Sequence, residues 1–232
     1  MRPDEEKFAA ALPYFDGLSE ASVRLLLDGA SLQRFPMHAD IIRQGGSPDF
    51  LHVVVEGRVE VFTSYRDRET TVDVLGEGDC FILAAVYLNK AYLKSARALS
   101  PARLLLIPAA AVRQVFGSDR VFAGKCAAEL AEGYRRLVKE VNNLKLRSSL
   151  ERLANWLLHH ARRDEADARF VIPFDKKTLA AKLGIAPEVL SRNFASLAAH
   201  GVKVTGKSVE VTDLELLERL AQPLPEIDDP GY

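Results

Sequence analysis

Cysteine is almost missing from these 232 residues: there are two, Cys80 and Cys126. Two thiols make neither a disulfide framework nor a four-cysteine metal site. An iron-sulfur cluster, which takes about four thiolates, is excluded on ligand count. Both cysteines read as small buried hydrophobes. Long apolar runs are missing as well. Apolar stretches such as residues 53–55 and 104–107 fall far short of the roughly 18 residues of a membrane span. The start MRPDEEKF holds no signal-peptide core, so a cytoplasmic protein with no membrane partner is expected. Neither sign of charge dominates, with 31 Lys and Arg against 32 Asp and Glu, and any basic surface must be local. Also missing are a nucleotide-binding glycine loop, a nucleophile elbow, an HExxH motif and a carboxylate pair in a recognisable setting. No catalytic or metal-binding residue is assigned, and an enzyme is not expected.

What is present is a change of rhythm along a chain long enough for two domains. Between about residues 31 and 108, short β-branched or alternating runs at 40–43, 50–55, 58–64, 70–75 and 103–107 read as strands. They are separated by Gly45-Gly46 with Pro48, by Glu56-Gly57, by Asp67 and by Gly76-Glu77-Gly78-Asp79. This is the pattern of an antiparallel barrel or jelly roll. A short helix over 20–27, with Ser19 as N-cap, precedes it.

The period then becomes helical. Phe122, Cys126, Leu130, Tyr134, Leu137, Val141 and Leu144 recur at steps of three or four, predicting one helix over 119–146. So narrow a stripe, flanked by Arg135, Arg136, Lys139 and Glu140, suits a coiled-coil seam. Self-association through Cys126, Leu130, Leu137 and Val141 is the expectation. Ser148-Ser149 interrupts, and a second amphipathic helix carries Leu150, Leu153, Leu157 and Ala161 up to a charged stretch at 162–167. The tail from Gln222, rich in Pro and Asp, reads as disordered.

The stretch FDKKTLAAKLGIAPEVLSRNFASLAAHGV holds two helical patterns joined by a tight turn. Asp175 caps the first, Gly184 supplies the left-handed residue that ends it, and Pro187 opens the second. Leu190, Phe194 and Leu197 share the inner face of the second helix, while Glu188, Ser191 and Arg192 share the outer one. Hydrogen-bonding side chains at the first turns of such a helix suit base reading in a major groove. Arg192 can bond guanine O6 and N7, Glu188 can accept from a cytosine amino group, and Ser191 serves either sense. Between residues 174 and 208 there are six cations, Lys176, Lys177, Lys182, Arg192, Lys203 and Lys207, against two carboxylates. Phosphate contact, assigned to Lys176, Lys177, Lys203 and Lys207, is the natural use of that surplus. The segment VKVTGKSVEVTD alternates about Gly206-Lys207 as a hairpin would, forming a wing. One weakness is Ala186, which stands where Ser or Thr would cap the second helix.

The order of parts and the residues themselves resemble the CRP/FNR family of bacterial transcription regulators, over nearly the whole chain. IIRQGGSPDFLHVVVEGRVEVF and LGEGDCF look like the family's β-roll, and PEVLSRNFASLAAHGV like its reading helix. The fold implied is α+β: a cyclic-nucleotide-binding-like β-roll or jelly roll (1–118) that senses an effector, a dimerisation helix (119–147), a winged helix-turn-helix (148–222) and a tail (223–232). Glu188, Ser191 and Arg192 match the E-x-x-S-R pattern of the FNR-type branch. That match implies double-stranded DNA with an inverted repeat of TTGAT or TTGAC half-sites, a homodimer, and RNA polymerase as a partner. The PE opening also looks like the NNR/DNR branch, which responds to nitrogen oxides.

The sensor departs from the family's cyclic-nucleotide pattern. Where a Gly-Glu pair holds the ribose and an Arg-Ser/Thr-Ala run takes the phosphate, this chain reads Leu83-Ala84 and Lys94-Ser95-Ala96. A lysine is no equivalent of a bidentate arginine, so cyclic AMP is not the expected effector. The expected pocket, with Phe81, Leu83, Ala84, Lys94 and Ser95 as its assigned residues and Ile82, Val86, Tyr87 and Leu88 beside them, is apolar; alternatively these side chains simply fill the roll and face the long helix. Haem is an open alternative, because His38, His52, His159, His160 and His200 each offer a nitrogen. Yet the carbon-monoxide-sensing branch has Cys and His where this chain has Ile82 and Ala84. The cofactor stays unassigned. The rival functional reading is a ligand-binding regulatory subunit that docks a protein partner.

Overall fold

The computed structural model describes residues 1–66, 68–163 and 168–229. The turn expected at Asp67, most of the charged stretch 162–167 and the last three residues of the tail fall outside them. The chain separates into two compact units, Met1–Gly133 and Tyr134–Tyr232. The division falls inside the long helix, whereas the sequence pattern treats 119–147 as an element of its own.

The first unit opens with α1 (Pro3–Ala10), a 3-10 turn at Pro13–Phe15 and α2 (Glu20–Leu27). Ser19 caps α2 by accepting from the Ser22 amide at 3.1 Å, as its position predicts. There follow β1 (Ser31–Phe35), β2 (Asp40–Ile42), β3 (Phe50–Glu56), β4 (Val59–Tyr65), β5 (Arg68–Leu75) and β6 (Cys80–Phe81). Then come α3 (Leu83–Leu88), β7 (Ser95–Ala98), β8 (Ala102–Pro108), α4 (Ala109–Ser118) and the start of α5 (Arg120–Leu146). The strands form two antiparallel four-stranded sheets, β1-β8-β3-β6 and β2-β7-β4-β5. The strands β1 and β7 and the helix α4 were not anticipated from the pattern.

Alternation along β3 sorts the core into two parts. Leu51, Val53 and Val55 join Leu26, Val112, Phe122 and Cys126 in a cluster on the helix side of the roll. Val54 joins Val61, Phe81, Ala96 and Leu104 between the two sheets. At the β3–β4 turn Gly57 has φ +85°, and a Cβ there would lie 2.3 Å from the Pro101 carbonyl oxygen, so only glycine fits. The long helix begins one residue later than expected because Asp119 is its cap. The carboxylate accepts from the Val121 and Phe122 amides at 2.9 and 3.0 Å and from the Ser22 hydroxyl at 2.6 Å.

The second unit holds the rest of α5, then α6 (Ser149–Arg163), β9 (Arg169–Val171), α7 (Lys176–Lys182) and α8 (Pro187–Leu197). These lead to β10 (Val202–Thr205), β11 (Ser208–Val211), α9 (Leu214–Ala221) and α10 (Pro225–Asp228). The break between α5 and α6 is set by a reciprocal cap. The Ser148 amide donates to Glu151 Oε2 at 2.7 Å and the Glu151 amide to Ser148 Oγ at 3.3 Å, an arrangement worth about 1 kcal/mol. Leu153, Leu157 and Ala161 are buried, as their spacing predicts. The tail corrects an expectation: it is ordered as far as Asp229, because the Asp228 carboxylate pairs with Arg147 and holds α10 in place.

Candidate functional site

The reading segment folds as its residues dictate. Asp175 Oδ1 accepts from the Thr178 amide at 2.7 Å and starts α7. The helix ends in a Schellman motif, in which the Gly184 amide donates to the Ala181 carbonyl and the Ile185 amide to the Ala180 carbonyl, both at 3.0 Å. Gly184 has φ +63°, and a Cβ there would lie 2.9 Å from Leu144 Cδ2. The left-handed angle favours glycine, and a larger residue would also push the Leu144 side chain aside. Pro187 then occupies the first turn of α8, behind Ala186, whose side chain makes no cap.

On α8 the two faces separate as the spacing predicts. Leu190, Phe194 and Leu197 are buried, and Glu188, Ser191 and Arg192 are exposed. Ser191 Oγ donates to the Pro187 carbonyl at 3.1 Å, which leaves its lone pairs toward solvent. Around this face Lys176, Lys177, Lys203 and Lys207 are all exposed. The Lys176 ammonium lies 5.3 Å from the centre of the Phe194 ring. The wing is a three-stranded antiparallel sheet, β10-β11-β9, turning at Gly206 with φ +61°. Its third strand, β9, was not foreseen; Arg169 on it pairs with Glu210 at 2.7 Å.

The long helix keeps most of its expected stripe open. Leu130 is 36% exposed, Tyr134 69%, Leu137 56% and Val141 46%, an apolar band left partly open among the described residues. Cys126 is a correction. It is 2% exposed and packs with Phe122 into the helix-side core of its own unit, one turn too early to lie on the open band.

The expected sensor pocket does not come together as one site. Phe81 lies between the sheets, whereas Leu83 and Val86 join the helix-side cluster. Ala84 is exposed and Lys94 half-buried. Ser95 is buried, and its Oγ accepts from the Gln44 amide at 2.9 Å. Beside α5 there is instead a cavity of about 240 Å³ lined by Tyr14, Cys80, Leu83, Lys125, Cys126 and Glu129, among others. Burial pushes the Tyr14 phenol well up, and the Cys126 thiol up to about 11.

His52 is one of the five histidines that offer a nitrogen to haem. It is 3% exposed, its ring centre lies 5.0 Å from that of Phe81, and Nδ1 finds no hydrogen-bond partner among the described residues. Burial lowers its pKa to about 4. No histidine lines the cavity beside α5, so it offers no axial imidazole to a haem.

Comparison with known proteins gives two family matches: a cyclic nucleotide-binding domain over residues 32–119 and a Crp-like helix-turn-helix domain over residues 151–220. The chain is 28% identical over 211 residues to the cyclic AMP receptor protein of Thermus thermophilus, covering 90% of this chain and 96% of that protein. Among solved structures it resembles a CRP-family transcriptional regulator of Thermus thermophilus. That match has 25% identity and a TM-score of 0.67, covering 84% of this chain and 99% of the other. FixK2 of Bradyrhizobium japonicum shares the fold, with 20% identity and a TM-score of 0.73 over 84% and 98% of the two chains. No helix among the described residues is long and apolar enough to cross a membrane.

Proposed function

This chain belongs to the CRP/FNR family of transcription regulators, and we propose that it is a homodimeric, sequence-specific regulator whose α8 reads DNA under the control of an effector other than cyclic AMP. The observation that carries the reading is the exposed face shared by Glu188, Ser191 and Arg192 on a helix whose opposite face is buried. Arg192 donates to O6 and N7 of a guanine, Glu188 accepts from a cytosine amino group, and Ser191 bonds in either sense. Lys176, Lys177, Lys203 and Lys207 touch phosphate, which sets register without reading sequence. The E-x-x-S-R pattern supports an FNR-type reading with TTGAT or TTGAC half-sites, and the Pro187-Glu188 opening resembles that of the NNR/DNR branch. RNA polymerase is the protein partner, and the cytoplasm the place of action. Leu130, Leu137 and Val141 cover one another across the dimer.

The Thermus relative is named for cyclic AMP, but the contacts differ here. Ala84 stands exposed where a carboxylate would hold the ribose, and Lys94 offers a point charge in place of a fork. A small apolar or anionic effector suits the sensor better. A purely protein-docking subunit is disfavoured by the surplus of six cations over two carboxylates between residues 174 and 208.

The test is binding to a labelled duplex with an inverted TTGAT repeat. Wild type is expected to prefer it over a scrambled duplex by about a thousandfold or more, with affinity falling steeply with salt. Leu130→Lys with Leu137→Lys is expected to give a monomer by light scattering and to lose that preference. Equal affinity for both duplexes, or a dimer mass for the double variant, contradicts the reading.

A further inference from the structure

We propose that Arg147 and Asp228 are positioning residues for DNA reading: the C-terminal segment latches the junction of α5 and α6 and so fixes where α8 stands on the end of the long helix. Arg147 lies between the last residue of α5 and Ser148, the cap of α6, and is 9% exposed. An arginine is seldom so buried unless it is paired. Its Nη1 donates to Asp228 Oδ1 at 2.8 Å and its Nη2 to Asp228 Oδ2 at 2.5 Å, the two-pronged geometry that only a guanidinium makes with a carboxylate. Nη1 also donates to Asn143 Oδ1 at 3.2 Å, one turn back on α5. A second tie runs alongside, since Lys139 Nζ donates to the Asp229 carbonyl at 2.5 Å.

The latch continues into the reading segment. The Arg147 carbonyl accepts from Arg152 Nη1 at 2.7 Å, and Arg152 Nε donates to the Leu183 carbonyl at 2.9 Å. Leu183 is the residue at which α7 ends, and next to it Gly184 packs on Leu144. The end of α5, the start of α6, α10 and the turn before α8 are thus joined by charged hydrogen bonds from two linked arginines, Arg147 and Arg152. The helix is broken at Ser148, where angular play would enter. Asp228 closes that break from outside residues 151–220, the stretch matching the Crp-like domain. In a dimer, play at this junction would displace two reading helices that must match a fixed half-site spacing. The proposal rests on the DNA-reading function, but its first measurement does not.

That measurement is hydrogen exchange of the full-length protein without DNA, on wild type, Asp228→Ala and Asp228→Asn. Loss of the fork is expected to speed exchange at amides 146–152 by about tenfold or more while α8 keeps its protection. The second measurement is competition between duplexes whose half-site centres stand about ten and about eleven base pairs apart. Wild type is expected to discriminate between them and Asp228→Ala to lose about tenfold of that discrimination, with Asp228→Asn between the two. A merely structural role would lower affinity for both duplexes alike. Unchanged exchange at the junction overturns the latch, and faster exchange with undiminished discrimination overturns its positioning role. If Asp228→Ala also deprotects α8, Asp228→Asn decides by the same criteria. Should wild type bind neither duplex, the DNA reading fails, and the exchange result still decides whether the latch exists.

Discussion

Phe81 and Leu83 stand two residues apart in the sensor unit, as Leu190 and Arg192 do in the reading unit; helical spacing puts the second pair on opposite faces, whereas resemblance groups the first pair in one pocket. In the reading unit the spacing holds. The helix runs unbroken from Pro187 to Leu197, so positions three and four apart share a face and Arg192 points away from the buried Leu190. In the sensor unit the grouping fails at one residue. Ile82 has φ +64°, a left-handed conformation that costs a β-branched side chain about 1 kcal/mol or more. The kink turns the chain from β6 into α3 and sends Phe81 between the sheets while Leu83 goes to the helix side. Periodicity predicts side-chain direction within a regular element and loses it across such a kink.

The largest effect expected to sharpen this contrast comes from the reading face. Arg192→Ala is expected to cost about 1 to 3 kcal/mol at each of two half-sites, with no change in thermal stability, since the side chain is exposed. Next comes a sensor residue whose role is packing. His52 stays neutral in the fold because burial lowers its pKa from 6.5 to about 4. The unfolded chain therefore takes up a proton that the folded one refuses. Stability present above pH 6.5 is lost as the pH falls towards 4, by up to about 3 kcal/mol. Urea unfolding of His52→Phe is expected to show a flatter pH dependence over that window; the same slope as wild type would mean that another group carries it. The smallest effects lie on the wing. Lys203→Ala or Lys207→Ala is expected to weaken binding to all sequences alike and to reduce the salt slope by about one. A change of base preference in either would place the wing among the readers.

What the residues reveal and what they hide follow the same division. Ser19, Asp175, Gly184 and Pro187 each act on their nearest neighbours, through one amide or one backbone angle, and each marked its boundary correctly. The burial of Cys126 depends on partners from α2, β3 and α4 that are distant in sequence, so its place in the heptad-like stripe was misleading. The tail looked disordered because its composition says nothing of Arg147, 81 residues away along the chain, whose paired charge holds it. Similarly, β7 carries the short run Ser95–Ala98 and is a strand because β2 and β4 flank it.

Selection from a random DNA library by wild type and by Arg192→Ala tests the central claim most directly. Wild type is expected to recover an inverted repeat with a guanine in each half-site, its centres about ten base pairs apart, and Arg192→Ala the same repeat with that guanine relaxed to any base. Recovery of the same guanine at undiminished strength by both proteins would remove Arg192 from the reading face and contradict the account.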